Sequence, residues 1–330
     1  MRGWTIALIV SLIVVMIILF AVCNDDDSGD TTTTSAVTST TAPEPTTTAP
    51  APTTTSIVEA TTTTLPETTT TADDGLLEGN WAPEPLVATT FMGALGWWDG
   101  TGWVQVEEGM ALPVAGGEDY QVARLGTEEV ITGGPEEMIC EFVPAGQGVV
   151  FDEPETVEPG SSGPKGVAIS APWPLTPHLV EEIADDGTYD AAASALLAER
   201  GLDVPDPVIK QVVRFDLEGD GVNEVAVVAE DVPPSLLGEV GDYSIVFVQR
   251  VVDGVVQSLV LEEYLLVELE EGFIPAVSAL GVGAVADLNA DGRMELVIPG
   301  SYYEGEWMGV WEYVNDDLGF VAQITNGCGV

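Results

Sequence analysis

Two nine-residue stretches of this chain place oxygen-bearing side chains at the same positions. The first reads Asp216-Leu217-Glu218-Gly219-Asp220-Gly221-Val222-Asn223-Glu224. The second, offset by 71 residues, reads Asp287-Leu288-Asn289-Ala290-Asp291-Gly292-Arg293-Met294-Glu295. Carboxylates or amides recur at positions one, three, five and nine, and Gly holds position six in both. This spacing suits calcium, a hard cation that takes about six to eight oxygens at about 2.3–2.6 Å. A tight loop aims alternate side chains at one point, and Gly at position six permits the turn that brings the carbonyl of position seven into reach. The carboxylate at position nine closes the shell, while Leu217 and Leu288 would point into a core. Two Ca2+ ions are expected, in structural rather than signalling roles. The competing reading of such sequences is a pair of acidic turns held by their own side-chain-to-backbone hydrogen bonds.

The elements that must carry these loops are strands. An EF-hand would need Glu at position twelve and flanking helices. Position twelve is instead Val227 and Ile298, and the flanks 211–215, 225–229, 282–286 and 296–298 are rich in Val, Ile, Leu and Ala. Runs of this kind are β-strands. Downstream of the first loop, 243–252 and 255–261 flank Asp253-Gly254, a hairpin signal. Downstream of the second, 308–314 and 320–324 flank a turn at 315–319, and a further hairpin is expected around Asp99-Gly100, between 86–98 and 103–106. Each loop thus belongs to a unit of four antiparallel strands, the size of a propeller blade.

Residues 215–228 and 286–298 resemble FG-GAP/VCBS repeats, the calcium-binding blades of integrin-like β-propellers. The resemblance covers two repeats, at about 211–261 and 282–325. It implies metal ligation by Asp216, Glu218, Asp220 and Glu224, and by Asp287, Asn289, Asp291 and Glu295, with backbone carbonyls from Val222 and Arg293. Two positions depart from the family pattern: Glu218 replaces a shorter Asp or Asn, and Ala290 replaces Gly. The expected fold is mainly β, with antiparallel propeller-like sheets and one short helix. That helix is read over 189–200, with Gly201 as its stop and Ala192, Leu196 and Leu197 as its apolar stripe. The stretches 157–164 and 171–177 are rich in Pro and read as loops.

The chain has 55 Asp and Glu against 8 Lys and Arg, a net charge of −47. Phosphate backbones would repel it, so no nucleic-acid partner is expected. Residues 4–22 are apolar apart from Thr5 and Ser11, follow Arg2 and precede Asp25. Such a segment spans about 30 Å of hydrocarbon as a helix, with the following chain outside. Leu19-Phe20-Ala21-Val22-Cys23 resembles a lipoprotein signal ending at a lipidated Cys23, although Phe20 and Val22 depart from its pattern. An uncleaved single-pass anchor, a lipoprotein and a cleaved secretory signal are the alternatives. Residues 31–71 contain 21 Thr among 41 positions, too polar to offset the entropy of ordering. They read as a stalk averaging about 40 Å end to end. The expected organisation is therefore 1–23 anchor or signal segment, 24–80 disordered stalk, 81–180 β-rich first part of the ectodomain, and 181–330 helix plus two calcium-loop repeats.

If the ectodomain is exported, Cys140 and Cys328 are the natural disulfide pair; two separate thiols are the alternative. Such a bridge closes a loop of 188 residues, worth up to about 5 kcal/mol by chain entropy. His178 is the only histidine, no Gly-x-Ser-x-Gly accompanies it, and no His/Cys cluster suggests zinc. A loop role beside Pro177 is expected. Trp97, Trp98 and Trp103, and the run Tyr302-Tyr303-Glu304-Gly305-Glu306-Trp307, fit cross-strand packing or a binding face for sugars or proteins. The expected function is a non-enzymatic, calcium-binding surface domain of a bacterial cell envelope, anchored at its N-terminus, that binds a protein or glycan or mediates adhesion. The alternatives are a cell-surface hydrolase using carboxylates and a purely structural envelope protein.

Overall fold

Alternating Val, Ile and Ala residues build the core of the protein as three stacked antiparallel sheets. The computed structural model describes residues 76–89, 92–125, 127–143, 145–151, 166–269, 272, 274–315 and 318–329. The segment 1–23 with Cys23, the stalk up to residue 75 and the stretch 157–164 lie outside the described residues. All described residues belong to one compact unit, Thr69–Val330. Among them, no helix is long and apolar enough to cross a membrane.

The first sheet contains β1 (Leu86–Thr89), β2 (Ala94–Trp98), β3 (Trp103–Gln105), β4 (Asp119–Arg124), β5 (Thr127–Met138), β6 (Gln147–Phe151) and β7 (Val167–Ile169), in the order β3-β2-β1-β7-β4-β5-β6. The second contains β8 (Val180–Glu182), β9 (Ile209–Phe215), β10 (Glu224–Asp231), β11 (Tyr243–Val252) and β12 (Val255–Leu265), in the order β12-β11-β10-β9-β8. The third contains β13 (Ala279–Leu280), β14 (Ala284–Ala286), β15 (Glu295–Tyr302), β16 (Gly305–Asn315) and β17 (Gly319–Gly329), with β13 and β14 both pairing β15, then β16 and β17. Strands β9–β12 and β14–β17 are thus two four-stranded meanders, each with an acidic loop between its first two strands.

The layer order follows from the two-residue period of a strand. In β10, Val227 and Ala229 face the helix α1 (Asp190–Glu199), while Ala226 and Val228 face the third sheet. In β15, Leu296 and Ile298 face the second sheet, while Val297 faces the first. The stack therefore runs helix, second sheet, third sheet, first sheet. Polar side chains, buried in the case of Glu230, link the layers. Glu230 Oε2 accepts hydrogen bonds from the Ser244 hydroxyl and the Leu280 amide, both at 2.9 Å. The Gln211 side chain acts as a strand partner for Val282, donating to its carbonyl at 3.1 Å and accepting from its amide at 2.8 Å. Gln105 treats Thr325 the same way, at 2.6 and 2.8 Å. Cys140 and Cys328 are disulfide-bonded, which ties β17 to the segment after β5.

Two local expectations are corrected. Residues 86–98 are two strands, because the Thr89 hydroxyl accepts the amides of Met92 and Gly93 and turns the chain back. In α1 the buried alanine is Ala193, not Ala192, which is only partly covered. Ala193 stands three and four residues before Leu196 and Leu197, so those three share one face. The helix ends as read: Gly201 has φ 92°, and the amides of Gly201 and Leu202 bond the Ala198 and Leu197 carbonyls at 3.1 and 3.0 Å, a Schellman stop.

Glu230 should make the stability of the fold depend on pH. Burial, the largest cause, holds its carboxyl above the ordinary range, Asp231 adds to the rise, and the Leu280 amide, Ser244 and Lys210 oppose it. A carboxyl raised in the folded state contributes stability that is complete below its unfolded pKa and is lost as pH rises through the folded value. Denaturation at pH 7, 6 and 5 should therefore show stability rising as pH falls, and Glu230→Gln should remove part of that rise. An unchanged slope in the variant would show that Glu230 is not responsible.

Candidate metal centre

Strand ends hold both acidic loops, and the loops share a hydrogen-bond scheme. The position-nine carboxylate reaches back to the amide of position two: Glu224 Oε2 accepts from Leu217 at 3.0 Å and Glu295 Oε2 from Leu288 at 2.7 Å. The position-one carboxylate accepts the amide of position six: Asp216 Oδ2 from Gly221 at 2.9 Å, Asp287 Oδ2 from Gly292 at 3.1 Å. Position five accepts the amide of position seven: Asp220 from Val222 at 2.7 Å, Asp291 from Arg293 at 2.8 Å. Leu217 and Leu288 are fully buried beneath the loops. Leu217 lies in the core between the second and third sheets, Leu288 in that between the third and first.

The backbone repeats as well. Positions four and six are left-handed in both loops: φ is 74° and 83° at Gly219 and Gly221, and 62° and 84° at Ala290 and Gly292. Ala290 thus adopts the conformation that Gly adopts in the first loop, at a cost of about 1–2 kcal/mol. Glycine would itself cost about 0.4–1 kcal/mol through its freer unfolded chain. Ala290→Gly should therefore stabilise the protein by about 0.5–1 kcal/mol, read as a higher thermal midpoint. A lower midpoint would show that the alanine methyl contributes packing that outweighs its strain.

The two loops also touch. The Met294 amide donates to the Leu217 carbonyl at 3.1 Å. His178, expected only to occupy a loop, lies between them: its Nε2 is 3.0 Å from the Gly292 carbonyl, and its ring covers Gly219 so closely that a methyl there would run into it. Residues 171–177 also form an irregular segment beside the second loop, where the Asp287 amide bonds the Leu175 carbonyl and the Trp173 indole donates to the Asp287 carbonyl at 2.9 Å.

The loops differ in what meets their carboxylates. In the second, Asp287 is 5% exposed and Glu295 is 0% exposed. Glu295 Oε1 is buried and accepts no hydrogen bond; Asp287 Oδ1 is buried too, with the Ala290 and Asp291 amides close to its carboxylate but outside hydrogen-bond geometry. Burial, followed by the charges of Asp287, Asp291 and Glu312, drives the Glu295 carboxyl far above the ordinary range, against the Leu288 amide. Burial, the largest cause, and the charge of Asp291 raise Asp287, against the amides of Gly292, Ala290 and Asp291. In the first loop both Asp216 oxygens accept amides, Oδ1 from Gly219 and Asp220 at 2.8 and 3.1 Å. Arg250 Nη2 lies 3.5 Å from Glu218 Oε1, and Arg250 opposes the rise that burial causes at Glu224.

Buried carboxylate oxygens with no donor fit a hard cation, because each is otherwise desolvated without compensation. Asp287 and Glu295 therefore fit calcium at positions one and nine, and Asn289 and Asp291 stand in the same loop. Among the described residues, no three His, Cys, Asp or Glu side chains are gathered as closely as a bound ion would hold them. Arg250, Glu312 and His178 were not legible as neighbours of the loops. Arg250 and Glu312 reach them through cross-strand register, and His178 through a segment with no periodic signal. The aromatics pack across strands: Trp98 and Trp103 of β2 and β3 meet edge to face at 5.5 Å, and in the third sheet the Trp307 ring lies over Gly300 opposite it. Comparison of the chain with family models, curated proteins and solved structures finds no match in any of the three.

Proposed function

We propose that this protein is a non-enzymatic, extracytoplasmic binding domain stabilised by structural calcium and displayed from a bacterial cell envelope on a Thr/Pro-rich stalk. The observation that carries the calcium reading is the fully buried Glu295 carboxylate, whose Oε1 meets no donor, beside the buried carboxylate of Asp287. The two meanders with a loop between their first strands support the FG-GAP/VCBS-like, propeller-type part of the proposal. The Cys140–Cys328 bridge suits an oxidising compartment. A groove of about 300 Å³ between β12, β16 and β17, lined by Glu262, Tyr264, Trp307 and Trp311 among others, favours a glycan as the ligand. Aromatic faces pack on the C–H faces of sugars, and a carboxylate accepts their hydroxyls.

Thermal unfolding of the full chain with calcium and with a chelator tests the calcium reading. Free calcium at tenfold its dissociation constant should add about 1.4 kcal/mol per site. An unchanged midpoint would sink it. Glycan binding is tested separately, by quenching of tryptophan fluorescence on a panel of envelope and mucin-type oligosaccharides. Quenching that persists in Trp307→Ala would place any such site elsewhere.

A further inference from the structure

The two loops are equivalent in hydrogen bonding, so the residues opposite their position-nine carboxylates can be compared directly. Register supplies them. One step beyond the Val225–Gln249 pair of β10 and β11 stand Glu224 and Arg250. One step beyond the Leu296–Trp311 pair of β15 and β16 stand Glu295 and Glu312. Directly opposite residues of an antiparallel pair lie on one face, within about 5.5 Å at Cβ. The first loop therefore faces a guanidinium and the second faces another carboxylate.

The surroundings fit that difference. The Arg250 side chain is 12% exposed, its Cζ lies 4.1 Å from the centroid of the Tyr313 ring, and it pairs with Glu218. A buried cation of the protein's own thus sits beside Glu218 and opposite Glu224. Glu312 has the reverse setting. Its Oε2 accepts the Trp103 indole N–H at 3.0 Å, which fixes the carboxylate in place. Its charge reaches Glu295, and the charge of Asp291 reaches it. Like charges directly opposite on a sheet are destabilising unless a cation lies between them. Arg293 is the cationic side chain whose field reaches Glu312. It sits at the exposed position seven, and the buried oxygen Glu295 Oε1 still accepts no donor.

We infer that the protein binds one calcium ion rather than two: the second loop takes it with Glu312 as an additional ligand from β16, while the Arg250 guanidinium replaces the ion in the first. The inference rests on the calcium reading and narrows it. Glu218, the longer side chain at position three, fits the same account, because it reaches Arg250. The Trp103–Glu312 hydrogen bond makes the first sheet part of the site's support.

Calorimetric titration of the full chain with calcium chloride tests it. The expected stoichiometry is one. Asp220→Asn should leave that value unchanged, Asp291→Asn should abolish binding, and Glu312→Gln should weaken affinity about tenfold or more through loss of a charged ligand. Arg250→Gln should open the first loop and raise the stoichiometry to two, whereas Arg250→Lys should keep it at one. No binding in the parent would overturn the calcium reading itself. Two ions in the parent, or loss of the ion in Asp220→Asn, would overturn the inference and leave calcium in place. Parent affinity in Glu312→Gln would remove Glu312 from the ligand set. If Arg250→Gln does not fold, the parent, Asp220→Asn and Asp291→Asn stoichiometries still decide the matter.

Discussion

Severing the Cys140–Cys328 bridge should lower stability by about 2–5 kcal/mol. The bridge spans 188 residues of sequence, so the unfolded chain gains the conformational freedom of a very long loop when it is cut. Cys140 is 1% exposed and Cys328 packs against the core between the first and third sheets. The bond joins the last strand of the third sheet to the first sheet, where Gln105–Thr325 and Asn326–Ala94 hydrogen bonds already hold the two together. Those local contacts mean that the Cys140→Ser/Cys328→Ser protein should still fold. Its denaturation midpoint should fall, and the larger unfolded ensemble should show as a steeper denaturant dependence. A midpoint within error of the parent would mean that the denatured chain is held compact without the bridge.

A comparable loss should come from Phe215→Ala, at about 3–5 kcal/mol. Phe215 is fully buried and ends β9 immediately before the first acidic loop. It lies in the core between the second and third sheets, with Val246, Leu296 and Trp311. Its removal deletes a large apolar volume from a layer enclosed by sheets on both faces, where little collapse is possible. Phe142 supplies the contrast. It is 69% exposed, so Phe142→Ala should change stability by no more than about 0.5 kcal/mol. Urea denaturation of both variants checks the pair. Similar losses at the two positions would mean that the layered core described above is wrong.

Much of the fold was legible because strand signals are local. Val- and Ile-rich runs, Asp-Gly turns and the stop at Gly201 depend on neighbours within a few residues, and they located α1, β9–β12 and β15–β17 closely. The first sheet was harder to read. Strands β4 to β7 are short or interrupted by glycines, and β1 and β2 looked like one run until the Thr89 side chain turned the chain back. Strand order could not be read at all: β7 lies between β1 and β4, a pairing set by distant hydrophobic partners. The stacking of three sheets with α1 at one end also depends on which face of each strand is covered, and by what.

For the site, the sequence by itself determined which residues could bind a cation: the repeated Asp, Asn and Glu positions, the glycines at position six and the leucines at position two. Backbone turns of nine residues are encoded in those same residues, so both loops were visible without a structure. Only the tertiary structure decided how the loops differ. Glu312 reaches the second loop, and Arg250 the first, across a strand pairing that no local pattern encodes. Burial of Asp287 and Glu295 depends on the sheets packed around them. The chemistry of each loop is therefore local, while its charge balance is set by the partner that register places opposite it.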